Sequence, residues 1–145
     1  MHYVKIDETS GEVSWDAYFD YLRTARGQFP AALYSYAAEW EHYSLDGANS
    51  LHDAWLVGAS FAYNAKEIVL EFLAAKQDRR FHLRYIATAS YALNLAVEYR
   101  SGDRDVLAHE FRVEDRLIVH EIVFSNRHTI LVRAQDIIPT IDRLS

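Results

Sequence analysis

The sequence predicts an α+β domain: two N-terminal helices followed by a six- or seven-stranded, mainly antiparallel meander sheet, open to strong curling. Three observations carry this. Between Trp15 and Trp40 apolar residues recur at three- and four-residue steps. From Leu51 onward the period becomes two. The one clear break between them, Leu45-Asp46-Gly47-Ala48-Asn49-Ser50, is too short to divide the chain into separate domains, so residues 1–145 read as a single domain.

The first helix is expected from Trp15 to Arg26, with Ser14 as N-cap, Asp16 in the first turn and Gly27 as terminator. Trp15, Tyr18, Leu22 and Ala25 form its apolar stripe. Pro30 suits the first turn of a second helix, where a missing N–H costs nothing. That helix carries Leu33, Tyr36, Ala37 and Trp40.

The first strand starts at Leu51 and alternates Leu51, Asp53, Trp55, Val57, Ala59 and Phe61 against smaller residues. Two-residue turns at Asn64-Ala65 and Gln77-Asp78 would set Phe61 opposite Ile68, Val57 opposite Phe72, Phe72 opposite Leu83 and Leu70 opposite Tyr85. The bulky residues then share one face, and Glu71 meets Arg84 on the other. Tyr91, Leu93, Leu95, Val97 and Tyr99 also alternate, although their neighbours allow a helix. After a turn at Ser101-Gly102-Asp103, three strands are expected near Asp105–Val113, Leu117–Ser125 and His128–Ala134. Both faces of these three are partly apolar, which fits a curled sheet, double coverage or a second subunit in a homodimer. The tail with Ile137, Ile138, Pro139, Ile141 and Leu144 is too apolar for water and should dock on the body.

Composition narrows the function classes. There is no cysteine, so disulfides, iron–sulfur clusters and thiolate zinc sites are excluded. The net charge is −6 without a basic stripe, which argues against nucleic acid. No stretch approaches the roughly 20 apolar residues of a membrane span, and no apolar run follows Met1, so the expectation is a cytoplasmic protein. Phosphate loops, nucleophile elbows, HExxH helices and EF-hand loops are absent, and no motif calls for a cofactor.

The remaining chemistry lies in histidines and acids. A two-residue turn at Glu114-Asp115 would set His109 opposite His120, and a three-residue turn would set His109 opposite Glu121 and Glu110 opposite His120. Imidazoles near carboxylates could move protons or, with His109 and His120 as ligands, hold a metal. A structural, hydrogen-bonded pair is the competing reading. His52-Asp53 follows turn residues and could serve as a strand-end cap.

The run Ser50-Leu51-His52-Asp53-Ala54, with the later His120-Glu121-Ile122-Val123-Phe124-Ser125, resembles a pattern of small bacterial α+β proteins. The resemblance spans roughly residues 50–135 and implies a soluble bacterial protein, with function left open. By analogy of class only, immunity proteins are also small, acidic and cysteine-free. The preferred expectation is a non-catalytic module that binds a protein partner, an immunity-type inhibitor being its concrete form. Its binding residues would be Trp40, Tyr43, Asp53 and Trp55, with Glu39, Glu41 and Asp46 as further acids. The alternative is a small-molecule binding protein or enzyme of the cone-shaped α+β barrel kind, with His109, His120, Glu110 and Asp53 in its pocket.

Overall fold

The computed structural model describes residues 1–95 and 105–144. Strands β1 (Lys5–Ile6) and β2 (Val13–Ser14) form a short hairpin, followed by helices α1 (Asp16–Ala25) and α2 (Ala31–Ala37). Then come β3 (Trp55–Ala62), β4 (Glu67–Leu73), β5 (Arg79–Asn94), β6 (Val106–Glu114), β7 (Leu117–Phe124) and β8 (Thr129–Arg143). These six strands make one antiparallel sheet in the order β3-β4-β5-β8-β7-β6. It consists of two three-stranded meanders laid side by side and joined by the long β5–β8 pairing. Among the described residues the sheet is not closed, and Trp55 of the edge strand β3 is bridged by Asp105, the residue before β6.

The helices depart from expectation at their ends. Ser14 belongs to β2, and Trp15 takes the N-cap position of α1 without a side-chain cap bond. The chain leaves α1 through a 3-10 turn, Arg26–Gln28, so Gly27 prolongs the coil of the helix where a stop was expected. Pro30 precedes α2, as its missing N–H allows. Helix α2 is shorter than its apolar stripe suggests. Glu39 turns extended (ψ 115°), and a new 3-10 turn runs from Trp40 to His42. Trp40 therefore leaves the stripe and is 51 % exposed, whereas Tyr43, the next aromatic, is buried.

In the sheet, Phe61 pairs with Ile68 as expected. A bulge then takes Val57 out of the ladder and sets Leu56 opposite Phe72. Leu51–Asp53 are not strand. Asp53 sits at φ 61° in the approach to β3 and does not share a face with Trp55. Between β4 and β5 the register differs by two residues from the expected one: Phe72 faces Phe81 and Leu70 faces Leu83. The loop is longer than two residues, with Gln77 at φ 57° and the Ala74 N–H bonded to the Arg79 carbonyl. A shift of two keeps every side chain on its face. Glu67 consequently pairs with Arg84, and Glu71 with Arg80.

The segment around Tyr91 continues β5 as far as Asn94, with a register shift between Thr88 and Ser90. The expectations for Val97, Tyr99 and the turn at Ser101-Gly102-Asp103 lie outside the described residues. The apolar tail is the second half of β8. Ile137 pairs with Tyr85, Pro139 with Leu83 and Ile141 with Phe81.

The core lies between the helices and one face of the sheet. Leu22, Leu33 and Ala37 meet Leu70, Phe72, Phe81, Leu83, Phe111, Ile122 and Val132 there. Helix α1 also closes the outer edge of β6. The Phe111 N–H donates to the Tyr18 hydroxyl (3.0 Å) and the Val113 N–H to the Tyr21 hydroxyl (2.7 Å). Two phenols thus satisfy donors that a neighbouring strand would otherwise take.

Candidate functional site

The turn between β6 and β7 decides how the histidines meet. Asp115 and Arg116 both have positive φ (50° and 66°), which defines a two-residue type I′ turn. Its centre lies beyond the Glu114-Asp115 position considered from sequence. Phe111 therefore faces His120, and His109 faces Ile122. The two imidazoles are diagonal neighbours on the inner face, with His109 Nδ1 3.0 Å from His120 Nε2.

Their hydrogen bonds form a chain. His109 Nε2 approaches the His42 carbonyl at 3.4 Å, and His120 Nδ1 lies 2.8 Å from the Tyr85 hydroxyl. A carbonyl only accepts, so His109 carries its proton on Nε2 and accepts on Nδ1. His120 must then donate from Nε2 and accept from Tyr85 at Nδ1. Every ring nitrogen is satisfied with both rings neutral. His109 is 1 % exposed and His120 fully buried. Burial holds His109 down to about 3, and burial together with the adjacent His109 holds His120 well below the ordinary imidazole value. Phe111 stacks on His120 at 4.1 Å and Tyr43 on His109 at 4.7 Å, which seals the pair from both sides. Both side chains are fully engaged within the core.

Glu110 does not join them. Adjacent residues of a strand point to opposite faces, so Glu110 projects away from His109. It lies directly opposite Glu121, a like-charge pair that needs a cation. Arg112 supplies it, with Nη1 3.0 Å from Glu110 and 2.7 Å from Glu121, and Nε 2.9 Å from Glu114. The Glu110 carboxylate also accepts the backbone N–H groups of His2 (2.8 Å), Tyr3 (3.0 Å) and Val4 (2.8 Å). The Met1 ammonium lies 3.0 Å from Glu121. Burial opposes the charge on Arg112, but its bonds to Glu114 and Glu121 outweigh this and raise its pKa. Glu110 thus anchors the N-terminal segment to the outer face.

Asp53 stands apart from both groups. Its side chain is exposed, and its carboxylate lies 3.4 Å from His52 Nε2, while His52 Nδ1 bonds the Leu107 carbonyl at 3.0 Å. The pocket expected to collect His109, His120, Glu110 and Asp53 is therefore not assembled. Among the described residues no group of three or more His, Cys, Asp or Glu side chains could hold a metal.

A cleft of about 600 Å³ opens on the other side of Tyr43. Trp15, Trp40, Leu45, His52 and Leu107 line it, and Ser10–Val13 at the β1–β2 hairpin form its lip. Trp15 packs edge-on against Trp40 at 5.9 Å and reaches Tyr43 at 5.0 Å. The Tyr43 hydroxyl is turned inward. It donates to the Ala37 carbonyl (2.6 Å) and accepts from Tyr18 (2.9 Å). Glu12, Glu39, Glu41, Asp46 and Asp53 are all exposed in the segments that supply or flank the cleft. Of the expected binding residues, Trp40 lines the cleft openly, Tyr43 is its floor, Asp53 adjoins His52, and Trp55 is half-buried in β3 beside Asp105. Trp15 was missed because the first helical stripe claims it for the core. Its place at the N-cap, one step before regular helix, frees it to wall the cleft.

Comparison of the sequence with family models and with curated proteins found no match. Among the described residues, no helix is long and apolar enough to cross a membrane.

Proposed function

We propose that this protein is a non-catalytic bacterial binding module that engages a basic surface of a protein partner through the Trp40 cleft. An immunity-type inhibitor, which blocks its partner sterically, is the concrete form of this reading. One observation carries it. The exposed indole of Trp40 and the exposed Leu45 stand at a cleft set among exposed carboxylates, whereas the histidine pair that could have performed acid–base chemistry is sealed in the core. An aromatic anchor within an acidic rim suits a cationic partner: the ring supplies buried area and a π face, and the carboxylates steer the approach.

The same cleft supports a second reading. Its volume falls within the range of small-ligand pockets, and His52 is the imidazole that lines it. A small-molecule site here would use His52 and Glu12, with Tyr43 standing between the ligand and His109.

The test is co-expression with the product of the adjacent gene and capture from a bacterial lysate, repeated with Trp40→Ala and Glu39→Lys/Glu41→Lys. The binding reading expects a basic partner whose association slows about tenfold or more as salt is raised and whose capture fails with Trp40→Ala. Capture indifferent to both changes would overturn it. Turnover of a small molecule that is abolished by His52→Ala would establish the second reading instead.

A further inference from the structure

We infer that the Trp40 cleft takes an arginine side chain of the protein partner, laid against the Trp40 indole with its guanidinium bonded to His52 Nε2 and the Asp53 carboxylate. The inference rests on the reading of the cleft as the docking site for a basic surface, and it names the group that enters.

The walls favour a flat cation. No lysine or arginine is among the described residues that line the cleft, whereas Glu12 stands on its lip. Trp15 and Phe19 meet Trp40 at steep angles, 78° and 66°, each with its ring centre 5.9 Å away. Held by both rings, the indole is in place before a ligand arrives, so little side-chain entropy is lost on docking. It nevertheless stays exposed. Tryptophan offers the best π face for a cation, and a planar guanidinium covers that face as a compact ammonium does not.

The polar wall calls for a donor. His52 Nδ1 donates to the Leu107 carbonyl (3.0 Å), because a carbonyl only accepts. In the neutral ring Nε2 is then a lone pair, and it lies 3.4 Å from Asp53 Oδ1. Two acceptors thus stand side by side, and a donor brought from outside serves both. The backbone holds them there. Asp53 sits at φ 61°, which aspartate tolerates better than most residues, and its N–H donates to the Val106 carbonyl (2.9 Å). Both residues are thereby tied to the start of β6, His52 through Leu107 and Asp53 through Val106. A guanidinium delivers two N–H groups from one edge of its plane, which suits paired acceptors. The exposed carboxylates of Glu39, Glu41 and Asp46 add attraction at longer range. They also repel the α-carboxylate of a free amino acid, and so favour arginine within a chain.

Titration of the full chain, labelled with nitrogen-15, with acetyl-Gly-Arg-Gly-amide tests the inference, read at the Trp40 indole and at the His52 and Asp53 amides. Matched peptides carry lysine or neutral citrulline in place of arginine, and free L-arginine is a further arm. The expected result is a saturable shift with the arginine peptide and binding about tenfold weaker or more for the lysine peptide, the citrulline peptide and free arginine. Trp40→Ala and Asp53→Asn should each weaken the arginine peptide about fivefold or more. Both replaced side chains are exposed, and asparagine suits φ 61°, so the fold should be kept; unmoved core signals check this. The comparison of peptides on the unaltered chain needs no variant. Equal binding of the arginine and lysine peptides, equal or tighter binding of free arginine, or no saturable shift with the arginine peptide up to about 50 mM would overturn the inference. Salt-dependent capture of a basic partner that fails with Trp40→Ala would stand in any of these cases, so failure of this inference and failure of the docking reading are distinguishable.

Discussion

Acidification from pH 7 to pH 5 should lower the folding stability of this protein by about 4 kcal/mol through two side chains. His109 and His120 are buried and neutral, His109 with its pKa near 3 and His120 well below the ordinary value. In the unfolded chain both return to about 6.5. Between those values the unfolded state binds more protons, so stability falls as pH falls. It is fully present above about pH 6.5 and is lost progressively below. For each imidazole the loss from pH 7 to pH 5 is about 2 kcal/mol, provided its folded-state pKa lies below 5. Carboxylates depressed by ion pairing, such as Glu114 and Glu121, act in the same direction but add only tenths of a kcal/mol above pH 5. Urea unfolding followed by circular dichroism at the two pH values measures the loss, with a constant m-value as the check on two-state behaviour. A loss of about 2 kcal/mol or less would mean that at least one ring is protonated or hydrated in the native state, and the tautomer chain from Tyr85 to His42 would be wrong.

Two further outcomes follow from packing and backbone conformation. Phe72 is fully buried at the centre of the first meander, so Phe72→Ala should cost about 3–5 kcal/mol, and a measured loss below about 1 kcal/mol would contradict its place in the core. Arg116 holds φ 66° in the type I′ turn, where a side chain is unfavourable, so Arg116→Gly should gain about 0.5–1 kcal/mol by chemical denaturation; a loss would contradict the turn type.

The regions of the fold legible in the sequence were those in which one face is apolar. Alternation placed Trp55, Val57, Phe61, Ile68, Leu70, Phe72, Phe81, Leu83 and Tyr85 in the core; the last six are buried there, although the β4–β5 register differs by two, whereas Val57 and Phe61 are exposed and Trp55 is half-buried. Parity survives such a shift because side chains repeat every second residue. Alternation does not report which strands become neighbours. The pairing of β5 with β8 depends on the long β8, whose second half reads in the sequence as a tail. Val57 was misplaced because a bulge is invisible to a period-two count. In the candidate site, the nearness of His109 and His120 was legible, although neither expected turn produces it. The separation of Glu110 from them follows from strand alternation alone. Its partners do not, since Arg112 lies two residues away and His2, Tyr3 and Val4 more than a hundred. Trp40 became exposed through a break at Glu39 that helical spacing does not encode.

The two phenols on the edge of β6 have a consequence for how far assembly can go. A sheet with two open edges adds copies at both ends and grows into a fibre. Here Tyr18 and Tyr21 occupy the donors of Phe111 and Val113, so one end of the sheet is terminated within each copy. Removing both hydroxyls would leave the Phe111 and Val113 donors of β6 unpaired and open an edge on which a strand of another chain could pair.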